Sequence, residues 1–419
     1  MKLFQRLLVA PAALGLMAPL AANADVTAVS NESDLSSEVI QARIDGVEAQ
    51  LGEIQAGSFS STTTMSGKAA FIVGSVEDDT DTTGADEVTM TYMYQLNMNS
   101  SFTGEDLLYT RLKAGNTADV FSSSAAKTSG AYLSAAKGGT GTLAVDKIWY
   151  QFPVGDSLQV WVGPRIENYY MLASAPSIYK PVTKQFALGG NASTYGSSTS
   201  PGFGAAWTQA VDDPSDGRFA LSMNYTGKSA ASPTVGLLNQ DSNEFFLTKV
   251  EYGTPQWQVS AAYANKTNGA AYDGYYHTLQ GKDYSTDLTS IALRGYWKPD
   301  TTGSIPEVQV GYDIASVDNA AAGDPDEMTA WMVGLGWKDL FIDGGRAGVA
   351  FGSRQAATSY VAGGATTEDP SEENFVWEAY YTFKVNDGVS VTPAVFGGSD
   401  VVGTDQDVNG AVLLTEFRF

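Results

Sequence analysis

The chain of 419 residues carries 47 Asp and Glu against 24 Lys and Arg, a formal net charge of −23, and so lacks the basic surface that nucleic-acid binding needs. It has no cysteine and one histidine, His277, so no disulfide framework is expected, no cofactor, and no metal site. Charged residues make up 17% of the chain while Phe, Trp and Tyr make up 11%, a balance better suited to a barrel with aromatic girdles than to a soluble acidic protein.

At the start of the chain, Lys2 and Arg6 form a basic head before the apolar run Leu7 to Leu20, and Ala22-Asn23-Ala24 follows with small residues. This is the layout of a secretory signal peptide, residues 1–24, with cleavage expected before Asp25. Removing the leader takes away two positive charges and no negative ones, which brings the net charge to −25. Beyond it no apolar run approaches the length of a membrane-spanning helix. A membrane location therefore requires a closed β-barrel, the other architecture that satisfies every backbone group in lipid.

Residues 25–57 predict a periplasmic leader and a short coiled-coil helix. Ile40, Ile44, Val47, Leu51 and Ile54 are spaced as a coiled-coil seam, with Asp34 as N-cap and Arg43, Glu48 and Glu53 off the seam. Gly46 and Gly52 each weaken the helix by about 0.8–1 kcal/mol relative to alanine, so it needs partners. A self-associating coil that ties barrels together as a homotrimer fits this pattern best; an amphipathic helix folded against its own barrel is the alternative.

Residues 58–419 read as β throughout, as a transmembrane antiparallel β-barrel. Aromatic-rich or alternating segments occur at 147–152, 159–162, 244–252, 256–264, 290–297, 307–314, 330–337, 375–384 and 389–396. In one of them Phe375, Trp377, Ala379, Tyr381 and Phe383 share a face, with Glu378, Thr382 and Lys384 opposite, as lumen-facing residues should be. Lys384 to Gly388 carries tight-turn chemistry, whereas 78–87, 320–327 and 363–374 read as longer outward loops. Divided among about 16 strands, the segment allows about 23 residues per strand with its connection, enough for a tilted span of roughly ten. The last strand presents Ala411, Leu413, Thr415, Phe417 and Phe419 on one face, and Phe417 and Phe419 are expected to form the barrel insertion signal of a bacterial outer-membrane protein. Outer-membrane lipids and lipopolysaccharide are the expected surroundings.

Three stretches carry a resemblance. The opening Met1-Lys2-Leu3-Phe4-Gln5-Arg6-Leu7-Leu8-Val9-Ala10-Pro11-Ala12-Ala13-Leu14-Gly15-Leu16 resembles the leader of cyanobacterial outer-membrane porins. So does Arg43 to Leu51 with its continuation Phe59 to Ala69, and so does Val162 to Asn168 through Met171-Leu172-Ala173. These porins form the carbohydrate-selective (OprB-type) group, some members being labelled iron-uptake porins. Typical relatives place a surface-layer-homology domain between leader and coil; here only residues 25 to about 34 separate the two, so attachment to the cell wall is not expected from the resemblance.

The resemblance implies an outer-membrane pore for passive diffusion of small hydrophilic solutes: carbohydrates, inorganic ions and iron species. A non-conducting structural or adhesive barrel is the alternative. In a porin a long loop folds inward to make the constriction. The stretch between Gly163 and Gly202, with little alternation and several turn formers, is the candidate, offering Arg165, Glu167, Tyr169, Tyr170, Lys180 and Lys184. The net charge of −25 suggests a preference for cations, although acidic outer loops contribute to that charge and salt near seawater strength would blunt the effect. Catalysis is not expected: a triad or dyad could be built only at His277, and no Gly-x-Ser-x-Gly motif is present.

Overall fold

The computed structural model describes residues 62–78, 87–117, 121–122, 130–190, 194–196, 199–239, 242–268, 287–363, 374–399 and 407–419. Through them run β1 (Thr63–Asp78), β2 (Thr89–Ser100), β3 (Leu107–Gly115), β4 (Ala144–Val154), β5 (Leu158–Ile166), β6 (Ser200–Thr208), β7 (Arg218–Gly227) and β8 (Glu244–Gly253). Then come β9 (Trp257–Lys266), β10 (Asp287–Trp297), β11 (Glu307–Asp318), β12 (Pro325–Lys338), β13 (Arg346–Tyr360), β14 (Phe375–Lys384), β15 (Val389–Ser399) and β16 (Val408–Arg418). Each strand pairs antiparallel with its neighbours in sequence, and β16 returns to pair with β1, so the sheet closes into a barrel with no free edge.

The two faces of this sheet invert the usual order of burial. Along β16, Leu413 is exposed while Val412 and Leu414 are buried, and the same alternation runs through β8, where Phe246 and Val250 are exposed beside buried Leu247, Lys249 and Glu251. Directly paired residues share a face, so the register carries this parity round the barrel. The outward face is apolar and aromatic: Phe203, Trp207, Met223, Tyr263, Ile291, Leu293 and Trp331 are all exposed on it. The inward face holds the ionisable side chains, among them Lys249, Glu251, Arg294, Asp313 and Glu378, all buried. Large apolar groups outside and buried charges inside are what a barrel in lipid with a polar interior requires. Apart from Arg165, every Lys and Arg within the described strands takes an inward position, and on that face basic residues outnumber acidic ones. The acidic excess therefore lies elsewhere, which weakens the argument from net charge to cation preference.

The connections divide by length. Turns at one end are short: Gly155 to Ser157 joins β4 to β5, and Val385 to Gly388 joins β14 to β15. In the latter the Val385 N–H donates to the Val389 carbonyl at 2.9 Å, and the Gly388 N–H donates to Asn386 Oδ1 at 2.9 Å. The start of β1 and the end of β16 lie at this end, which is the periplasmic one for an outer-membrane barrel. Another short turn, between β2 and β3, is organised by Asp106. Its Oδ1 accepts from the N–H groups of Phe102 and Thr103 and from the hydroxyls of Ser101 and Thr103, each at 2.8 Å. Its Oδ2 accepts from the Tyr150 hydroxyl at 2.6 Å. The Tyr150 hydrogen bond, followed by those of Thr103 and Ser101, holds the Asp106 carboxyl well below the usual carboxylate range despite some desolvation.

Some strands exceed the sequence expectation. β12 begins at Pro325, so 325–327 belong to a strand and not to the outward loop expected over 320–327. The register with β13 shifts there three times, between Pro325 and Trp331, and these irregularities mask the simple alternation that marks a strand in sequence. Strand β10 likewise starts at Asp287, three residues before the alternation becomes legible at Ser290. The signal peptide, the coil seam at Ile40, Ile44, Val47, Leu51 and Ile54, and His277 lie outside the described residues, as do 79–86 and 364–373.

Candidate pore constriction

The connection from β5 to β6 folds into the barrel. It opens with a one-turn 3-10 helix over Asn168–Tyr170, crosses to β14, and turns through a second 3-10 stretch over Lys184–Gly189 that is kinked at Ala187 and Leu188. The kink puts Leu188 at φ 60°, and Gly189 follows at φ 79°, a conformation that glycine adopts freely. Space demands small residues there as well: a side chain on Gly311 of β11 would meet the Gly189 carbonyl oxygen at 1.8 Å.

Buried polar groups of the wall clamp this loop along its length. Ser222 accepts the Ala173 N–H at 2.9 Å, and Asn224 Nδ2 donates to the Asn168 carbonyl at 3.0 Å. Lys249 Nζ donates to the Ser174 carbonyl at 3.0 Å and is ion-paired to Glu251, whose carboxylate accepts the Ser174 hydroxyl at 2.8 Å. Arg294 pairs with Asp313 at 2.7 Å and donates its Nε–H to the Leu188 carbonyl at 3.0 Å. On the far wall Glu378 accepts the Tyr179 hydroxyl at 2.9 Å, the Val182 N–H at 3.1 Å, and the Thr183 N–H and hydroxyl at 2.8 and 2.5 Å. Burial beside this carboxylate raises the Tyr179 phenol far above its ordinary range, so it stays a neutral donor.

A second inward segment, between β3 and β4, was not anticipated from the sequence. Leu133 bridges antiparallel to Thr183, the Ser134 N–H donates to the Val182 carbonyl at 2.8 Å, and the Lys184 N–H donates to the Tyr132 carbonyl at 2.8 Å. Phe121, Leu133 and Phe186 are fully buried in an apolar cluster with Ile72, Val376 and Phe396 of the wall. The short run Ala131-Tyr132-Leu133 is the one local hint of this packing.

Together the two segments pack against the inward faces of β7, β8, β10, β11, β12, β14, β15 and β1, leaving Gln95, Asn97, Tyr109, Arg111 and Lys113 on β2 and β3 partly exposed to the lumen. This side of the lumen, beside β2 and β3, is the candidate passage. Of the six residues expected to line it, five belong to the inward loop. Glu167 accepts from the Lys147 ammonium and the Tyr169 hydroxyl. Tyr169 and Tyr170 stack with centroids 4.9 Å apart, and Arg111 Nη1 donates to the Tyr170 hydroxyl at 3.1 Å. Burial, only partly offset by Arg111, leaves the Tyr170 phenol pushed up to about 12. The Lys184 ammonium lies 5.4 Å from the Tyr132 ring centroid, and Lys180 projects further along the lumen toward the short-turn end.

Arg165 is not with them. It opposes Ile148 while Val162 opposes Tyr150, so one extra residue is accommodated in β5, and Arg165 stands exposed on the outward face. Residues that the sequence reading missed complete the site: Arg111, Lys113, Lys147 and Tyr109 on the wall, with Asp146 accepting from Arg111 Nε at 2.5 Å. A signal for them existed, since Arg111 and Lys113 are two apart in Leu107–Gly115 and so share one face of a strand.

Comparison with known proteins agrees with this architecture. The model of the family described as carbohydrate-selective porin, OprB family, matches residues 20–396. An uncharacterized protein of Nostoc sp. is 25% identical over 93% of this chain and 71% of its own length. Another, of Synechocystis sp., is 24% identical over 86% of this chain and 69% of its own length. Among solved structures, Pseudomonas putida OprB superimposes with a TM-score of 0.56 at 13% identity, over 85% of this chain and 94% of that one. A mutant of the Rh. blastica porin gives a TM-score of 0.50 at 13% identity, over 85% of this chain and all of the other.

Proposed function

The chain belongs to the carbohydrate-selective porin family, OprB, and from that premise we propose that it passes small hydrophilic solutes, uncharged sugars first among them, through the lumen beside β2 and β3. The observation that carries this is the inverted burial: an apolar exposed outer face around an interior of buried Lys, Arg, Asp and Glu. Such a barrel is stable only with lipid outside and a polar, wet or filled interior. This supports reading the protein as an outer-membrane porin, a pore that selects by width and lining groups.

Sugars suit the lining on two counts. Tyr109, Trp149, Tyr169 and Tyr170 form a run of ring contacts, with Tyr109 4.9 Å from Trp149 and Trp149 5.9 Å from Tyr170. Apolar ring faces pack against the C–H faces of a pyranose. Beside them Asn97 Oδ1 accepts the Tyr109 hydroxyl at 2.9 Å, and Gln95 Nε2 donates to Asn97 Oδ1 at 3.0 Å, supplying exchangeable polar partners for sugar hydroxyls. Signal-peptide removal before Asp25 and assembly as a homotrimer through the coil seam belong to the same proposal.

Liposome swelling with purified protein tests it. Monosaccharides are expected to enter faster than tri- and tetrasaccharides, and Tyr170→Ala to reduce that discrimination. Failure of folded protein to admit any monosaccharide would support a non-conducting barrel. Current steps grouped in threes in a planar bilayer are expected for the trimer.

A further inference from the structure

At the short-turn end the lumen holds a cavity of about 490 Å³. Its lining brings together Lys68 of β1, Lys180 of the inward loop, Arg346 of β13, Lys384 of β14 and Arg418 of β16, five basic residues against the two acids Glu416 and Asp387. Both acids are already committed. Glu416 accepts from Lys68 at 2.5 Å and from Arg418 at 3.1 Å, and Asp387 pairs with Lys384 at 2.7 Å. Arg346 reaches Glu307 at 3.4 Å, but that carboxylate is shared with Lys338 at 2.5 Å. Lys180 makes no ion pair with a carboxylate among the described residues.

The backbone around Lys180 is fixed from both sides. Ile178 N–H donates to Gln309 Oε1 at 3.1 Å, Pro181 follows directly, and Val182 and Thr183 are bound to Glu378. The ammonium is thus presented to the cavity by a rigid support. Desolvation, then the charge of Arg346, lowers the Lys180 pKa against the opposing pull of Glu307. A chain whose formal net charge is −23 therefore has a basic vestibule on its solute path.

We propose that this vestibule is a seat for the phosphate group, carried as inorganic phosphate or on a small organic solute, with Lys180 as its principal contact and Lys68, Arg346, Lys384 and Arg418 as the surrounding field, and that it makes the pore prefer anions. The proposal rests on the porin reading above and reverses the ion preference that net charge alone implies. Excess basic groups in a confined passage with low-dielectric walls concentrate anions. A cavity of about 490 Å³ falls in the range of small-molecule sites, roughly 300–1,000 Å³, so a monosaccharide-sized phosphate ester fits.

The experiment is a planar-bilayer measurement on the full-length folded protein under a potassium chloride gradient, with inorganic phosphate and glucose 6-phosphate added separately. Wild type is expected to show a chloride-selective reversal potential and a saturable fall in chloride current with phosphate. Lys180→Glu is expected to lower the chloride-to-potassium permeability ratio by at least about twofold and to weaken the phosphate block, with Lys180→Gln intermediate. Block by both compounds places the site on the phosphate group itself; block by the ester alone assigns it to organic phosphates. Heat-modifiable migration of both variants establishes that they fold. A cation-selective wild type, or a phosphate block unchanged in Lys180→Glu, overturns the proposal while leaving the porin intact. Absence of any current from folded wild type overturns the porin reading and the proposal with it.

Discussion

Thr183 gives Glu378 both its backbone N–H, at 2.8 Å, and its hydroxyl, at 2.5 Å, across 195 positions of sequence. With Tyr179 and Val182 the carboxylate takes four hydrogen bonds, all from the inward loop, and is itself fully buried on β14. This contact closes the loop across the lumen. Without it the segment from 179 to 183 has no polar anchor on that wall among the described residues.

Glu378→Ala leaves those donors buried without an acceptor, at about 1–3 kcal/mol for each that finds no water. The expected outcome is a loss of at least about 3 kcal/mol in denaturant unfolding, together with larger and noisier single-channel currents as the loop loosens. Unchanged current noise would show that the apolar cluster around Phe121 and Phe186 holds the loop unaided.

Arg294 and Asp313 are both buried, and Arg294 also holds the loop through the Leu188 carbonyl. Arg294→Met strands a carboxylate in the wall and is expected to cost about 3–5 kcal/mol. Adding Asp313→Asn should restore most of this, leaving roughly 1 kcal/mol for the lost Leu188 contact. Chemical unfolding of the single and double variants checks the cycle; equal losses in both would show that the loop contact dominates.

Asp106 provides an acid-sensitive point at the periplasmic end. Its folded-state pKa lies below the ordinary 3.8, so its contribution to stability is fully present above that value and is lost as pH falls toward the folded pKa. Asp106→Asn is expected to lower the thermal midpoint at pH 7, and the gap from wild type to narrow on acidification below about pH 4. A gap that stays constant with pH would place its cause in packing.

The extra residue in β5 turns Arg165 outward, whereas Arg111 on β3 faces the lumen. Arg165→Ala, on the outer face, is expected to leave conductance and reversal potential unchanged. Arg111→Ala, beside Tyr170 and Asp146, is expected to raise conductance and shift the reversal potential toward cations. Bilayer recordings of the two variants under identical salt decide the matter, and a change in Arg165→Ala alone would place the passage elsewhere.

Much of the barrel was legible because strand alternation is local. Phe375 to Lys384 shows its two faces in sequence, and the structure exposes Phe375 and Phe383 and buries Glu378 as that pattern requires. The inward loop was legible too, as a stretch lacking alternation between Gly163 and Gly202, and five of its six candidate residues lie along it within the lumen. Arg165 was read into the inward loop because alternation fades after Val162, whereas β5 runs on to Ile166 and one extra residue, which has no mark of its own in sequence, turns Arg165 outward. The segment between β3 and β4 went unread because its anchor, the bridge from Leu133 to Thr183, joins residues 50 apart.

By itself, then, the sequence showed alternating segments and length enough for about 16 strands, and strands with one apolar and one polar face must close on one another to satisfy both lipid and water. It also offered 163–202 as a candidate to fold inward, but did not single out the segment between β3 and β4. Only the tertiary structure decided which charges meet. Lys68, Lys180, Arg346, Lys384 and Arg418 are scattered over most of the chain and converge because barrel closure sets β16 beside β1 and Glu378 draws the loop across. Net charge is a sum over residues and carries no positions, whereas the field in the lumen depends on distance and on which face each strand turns inward.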